Sequence, residues 1–89
     1  MTWRQRYRAR MNRPRLAVEV VWEDAASANS AWKPLEDIRA TTVVIRSVGY
    51  LLEVTDRRVT LLQNAGDNGR AADTITVPRS CVRSMRRLR

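Results

Sequence analysis

Arginine is crowded at both ends of this chain, and that crowding confines any hydrophobic core to the residues between. Residues 1–15 carry Arg4, Arg6, Arg8, Arg10, Arg13 and Arg15 with no acidic side chain. Residues 79–89 carry Arg79, Arg83, Arg86, Arg87 and Arg89, again without an acid. The stretch 16–78 holds six basic and all nine acidic residues, a formal charge of −3, so the net +8 resides at the ends. Like charges so close together repel one another. The pattern predicts a flexible basic arm at 1–14, a folded unit at 15–85 and a basic tail at 86–89.

A unit of that size lies near the lower limit for a self-sufficient core. The chain has no Phe and no His, so Val, Leu, Ile and the three Trp must supply that core. Cys81 is the single cysteine, which rules out an internal disulfide, and it reads as a small buried hydrophobe ahead of a reactive thiol. No cofactor or metal is expected from so sparse a set of ligating side chains. No apolar run approaches the roughly 18 residues of a membrane span. The basic start lacks the apolar stretch of a secretory signal. These features predict a soluble intracellular protein with no membrane partner.

Alternation of apolar and polar residues marks the strands. Leu16, Val18, Val20 and Trp22 share one face with Glu19 opposite. Strand signals return at 42–46 and 48–54, either as two strands or as one long strand bent near Ser47-Val48-Gly49. Within the second stretch, Val48, Tyr50, Leu52 and Val54 alternate with Gly49, Leu51 and Glu53. Asp56-Arg57-Arg58 reads as a tight turn, and 59–63 as a strand with Val59 and Leu61 on one side. Residues 64–70, with Gly66 and Gly69, read as a hairpin loop. Residues 74–77 and 81–85 follow as strands. Between the first two strands, 31–38 is open to two readings: one or two helical turns joining Trp32, Leu35 and Ile38, or a loop pinned to the core by Trp32.

About five short strands joined in this way predict an all-β fold. Val77-Pro78-Arg79-Ser80-Cys81-Val82 resembles the SH3-family junction, where a strand ends at Pro, makes a short 3₁₀ turn and enters the final strand. That resemblance implies a small SH3-like barrel with a short helical turn and basic terminal extensions. The paired tryptophans and acidic-aromatic loop of peptide-binding SH3 domains are not matched, so a proline-rich ligand is not expected. A second resemblance rests on Val20-Val21-Trp22-Glu23-Asp24-Ala25, Trp32, Ser47-Val48-Gly49-Tyr50-Leu51-Leu52 and the same 77–82 segment. These are similar to small uncharacterised proteins of tailed bacteriophages. The likeness implies action in the cytoplasm of an infected bacterial cell, or a place in the virion.

No enzyme is expected. There is no histidine, Cys81 has no imidazole partner, and the hydroxyl groups sit in no activating arrangement. Glu53 and Asp56 bracket a strand end and read as solvated hairpin residues. Gly66 and Gly69 lack the lysine and the strand–glycine–helix setting of a phosphate loop.

Guanidinium groups hydrogen-bond phosphates in pairs and stack on bases. The expected function is therefore a noncatalytic nucleic-acid-binding module contacting RNA or DNA phosphates. Its expected contacts are Arg4, Arg6, Tyr7, Arg8, Arg10 and Arg13 of the arm, Arg57 and Arg58 of the turn, and Arg83, Arg86 and Arg87 near the C-terminus. Trp3 and Tyr7 are candidate stacking platforms. The alternative is a phage-encoded interaction module whose basic ends meet an acidic host or virion protein, with Trp32 or Tyr50 as anchors.

Overall fold

The computed structural model describes residues 6–10, 15–25 and 32–88. It contains strands β1 (Tyr7–Arg8), β2 (Ala17–Asp24), β3 (Val43–Val54), β4 (Arg58–Ala65), β5 (Ala71–Pro78) and β6 (Val82–Arg87). Short 3₁₀ turns occupy Leu35–Asp37 and Arg79–Cys81. All strand pairings are antiparallel, in the order β5-β4-β3-β2-β6, with β1 paired to β3.

The two stretches at 42–46 and 48–54 are one strand of 12 residues. Its first part pairs with β2, from Val43 opposite Asp24 to Tyr50 opposite Ala17. Its end pairs with β4, from Tyr50 opposite Leu62 to Val54 opposite Val59. A register shift between Leu51 and Glu53 leaves Leu52 as an extra residue. That bulge changes which side chains face inward, because pleating otherwise alternates them strictly. Leu51 and Val54 are both buried, whereas Val48 and Tyr50 stand on the opposite face. The simple alternation expected across 48–54 is corrected by that one residue.

The core contains Val18, Val20, Leu51, Val54, Val59, Leu61, Val77 and Val82. Tyr7, Leu16, Trp22, Ile75, Cys81 and Met85 pack against it. Trp22 fixes its ring by donating Nε1–H to Ser47 Oγ at 3.0 Å, which gives the indole's one polar atom a partner. Gly49 of β3 lies against the backbone of β4. A Cβ there would lie 2.7 Å from the Leu62 carbonyl oxygen, so only glycine fits without a backbone shift.

A closed SH3-like barrel does not form. The sheet is an open path whose ends, β5 and β6, share no ladder. Side chains of both strands enter the common core, yet their backbones stay apart. Two features of β5 oppose further pairing. Asp73 has φ 60, a left-handed conformation that disturbs the strand, and Pro78 lacks an N–H. The 77–82 segment does make the expected local turn: Arg79–Cys81 is 3₁₀, Arg79 N–H donates to the Arg57 carbonyl at 2.8 Å, and Arg79 Nη1 donates to the Thr55 carbonyl at 2.7 Å.

Residues 32–38, the described part of the 31–38 segment, follow neither reading in full. Leu35–Asp37 forms one 3₁₀ turn, closed by Ile38 N–H donating to the Leu35 carbonyl at 3.2 Å. Trp32 does not pin it, being fully exposed at 102%. Leu35 and Ile38 are exposed as well. Among the described residues, no helix is long and apolar enough to cross a membrane.

Candidate nucleic-acid interface

The face of the sheet turned away from the core carries Arg8, Arg46, Arg58 and Arg86, each paired with a carboxylate. Alternation along β2 places Ala17, Glu19, Val21 and Glu23 there, opposite Tyr50, Val48, Arg46 and Val44 of β3. Arg86 and Ser84 of β6 stand beside Glu19 and Val21. On the other side, Leu62 and Thr60 of β4 are opposite Tyr50 and Glu53. Arg8 of β1 is also opposite Glu53.

Two carboxylates organise this face. Glu19 Oε1 accepts from Arg86 Nε at 2.9 Å and lies 3.7 Å from Arg46 Nη1. Glu53 accepts from Arg8 Nη1 at 3.3 Å and from Arg58 Nε at 3.2 Å, using a different oxygen for each. The acids are the sheltered partners. The Glu19 and Glu53 side chains are 14% and 22% exposed, against 67% and 70% for Arg46 and Arg86. The hydrogen bond from Arg86 holds the Glu19 carboxyl below the usual glutamate range, partial burial opposes it, and the charges of Arg86 and Arg46 reinforce it. Each cluster holds two cations around one anion, so it presents net positive charge to solvent. Exposed ion pairs add little stability, and their main effect here is to fix where guanidinium groups stand.

The expected contact residues divide among several places. Arg8, Arg58 and Arg86 join this face. Arg83 Nε pairs with Glu23 Oε1 at 3.1 Å, and the Glu23 carboxylate also accepts from Thr42 Oγ1. Arg83 is the extra residue of a second bulge, since Val21 faces Ser84 while Trp22 faces Val82. Val82 and Met85 therefore share the inner face, where strict alternation along a strand would set them on opposite faces. Arg6 lies 3.7 Å from Asp56 near the β3–β4 turn. Arg57 is exposed in that turn, which Thr55 Oγ1 shapes by accepting from the N–H groups of Arg57 and Arg58, both at 3.1 Å. Arg10 and Arg87 are exposed. Tyr7 packs against the core. Trp3, Arg4 and Arg13 lie outside the described residues.

Arg46 and Tyr50 complete the outer face although neither was expected as a nucleic-acid contact. Their signal in sequence was the alternation itself: Arg46 and Tyr50 are an even number of residues apart on a strand whose intervening positions alternate between the two faces. Glu53 and Asp56 do not come together as a pair; each is engaged by arginine. Among the described residues, no three His, Cys, Asp or Glu side chains gather as a metal-ligand set. Comparison of the chain with protein-family models, curated proteins and solved structures finds no match.

Proposed function

We propose that this chain is a noncatalytic nucleic-acid-binding module that contacts RNA or DNA phosphates through arginine. The observation that supports this reading is the pair of clusters Arg86–Glu19–Arg46 and Arg8–Glu53–Arg58, with sheltered acids and exposed guanidinium groups. A cation already held in place loses less freedom when it meets a phosphate. Such contacts position a nucleic acid without reading its sequence, so affinity is weakly sequence-dependent and strongly salt-dependent. The resemblance to tailed-phage proteins favours the cytoplasm of an infected bacterium as the setting, with the virion second.

The test is binding of the purified, nuclease-treated full chain to fluorescent RNA and duplex DNA across a salt series, beside the double variant Arg46→Ala, Arg58→Ala. That variant leaves each carboxylate one arginine and makes each cluster neutral. Affinity should fall, and the slope of log K against log salt should shrink by roughly 0.7–0.9 for every phosphate that the variant no longer neutralises. Equal affinity and slope in the variant would sink the reading.

A protein partner is the second reading, favoured by the full exposure of Trp32 and the exposure of Leu35 at 87%. Large apolar side chains so placed are common interface anchors. Under that reading the chain ignores RNA and DNA at near-physiological salt, and Trp32→Ala disrupts its complex with an acidic protein.

A further inference from the structure

Tyr50 lies between the two arginine clusters along β3. It is four residues beyond Arg46 and three before Glu53, so at about 3.3 Å per residue those two residues lie roughly 13 and 10 Å from it along the strand. Its side chain is on the outer face and remains 36% exposed. Val48, on the same face two residues away, is 49% exposed. Leu62, directly opposite Tyr50, is only 4% exposed although it lies outside the core cluster. The outer face thus has an apolar, aromatic centre between two groups of fixed cations.

This arrangement suits one form of polyanion better than another. A duplex presents phosphates but keeps the faces of its bases stacked inside. A single strand presents phosphates together with free base faces, which stack on aromatic rings largely irrespective of sequence. Exposed aromatic surface between cations has a use for the single strand and none for the duplex.

We infer that the outer face is a single-strand site, where a base stacks on Tyr50 while adjoining phosphates meet the arginines of the Glu19 and Glu53 clusters. The inference rests on the nucleic-acid reading above and specifies the ligand of that face as a single-stranded polynucleotide.

The full chain should be titrated with oligo-U, oligo-dT and a duplex of equal length, alongside Tyr50→Phe and Tyr50→Thr. Tyr50→Thr removes the ring while keeping a residue suited to a strand. Single strands should bind more tightly than the duplex. Tyr50→Thr should weaken that binding by about 5- to 150-fold while Tyr50→Phe retains it and duplex affinity stays constant. The ratio of oligo-U to oligo-dT affinity separates RNA from DNA. If Tyr50→Thr fails to fold, photochemical cross-linking of a 5-iodouracil oligonucleotide to the unsubstituted chain reads the same contact, with the adduct expected at Tyr50. Tight duplex binding with no preference for single strands, or adducts only on other aromatic residues, overturns this site and leaves the general reading intact. Failure to bind any nucleic acid overturns both.

Discussion

Arg86 donates its Nε–H to Glu19 Oε1 at 2.9 Å, joining positions 67 residues apart. That contact ties β6 to β2 by side chains as well as by the ladder. It has a consequence for acid stability. The folded Glu19 carboxyl titrates below the usual glutamate value of about 4.3, so the unfolded chain takes up the proton first as pH falls. Its contribution is present above that value and is lost as pH drops through the lower folded value. Glu19→Gln should therefore flatten the decline of the urea midpoint below about pH 4.3. Equally steep declines in both proteins would remove Glu19 from the acid transition.

Ser47 gives Trp22 its polar partner, with Nε1 and Oγ 3.0 Å apart in a partly buried setting. Ser47→Ala leaves the indole N–H without that acceptor and should cost about 1 kcal/mol. The check is the midpoint of denaturant unfolding at unchanged m-value. A double variant with Trp22→Phe should lose less than the sum of the two single losses, because the shared hydrogen bond can be removed only once.

Gly49 leaves no room for a methyl group. An added Cβ would approach the Leu62 carbonyl oxygen to 2.7 Å and Leu61 Cβ to 3.3 Å. The first neighbour is backbone and cannot rotate away. Gly49→Ala should destabilise the fold by about 1–3 kcal/mol, seen as a lower unfolding midpoint. A variant as stable as the parent would show that β3 and β4 move apart readily.

Much of the strand layout could be read from composition and alternation. Val18, Val20, Val59 and Leu61 fall on the core face as the pattern predicts, because burial on one side of a pleated strand leaves a period of two. The bulges at Leu52 and Arg83 leave no such mark, since each is a choice of backbone register made between strands. They decide that Leu51 joins Val54 inside and that Val82 joins Met85. The separation of the β5 and β6 backbones was illegible for a related reason: closure depends on cumulative twist and curvature across the path, whereas the 77–82 segment specifies only a local turn.

The candidate site was harder still to read. Counting charges located the arginines but assigned the positive field to two free ends. The carboxylates that organise them, Glu19 and Glu53, come from the acidic middle of the chain and meet Arg86 and Arg8 only through tertiary structure. Tyr7, expected as a stacking platform, packs against the core because its pairing with Val54 turns the ring inward, while the register of β3 turns Tyr50 outward.

The position of β2 also orders the assembly of the molecule in time. Residues 17–24 leave a ribosome well before residues 82–87, which supply one of their two flanking strands. The meander of β3, β4 and β5 needs only strands adjacent in sequence. Val18 and Val20, wholly enclosed in the finished protein, have a flank that closes only once every other strand of the sheet has been made. Such distant pairings must overcome loop-closure entropy before they contribute. The earliest long strand of the sheet to be made is thus the last to be completed.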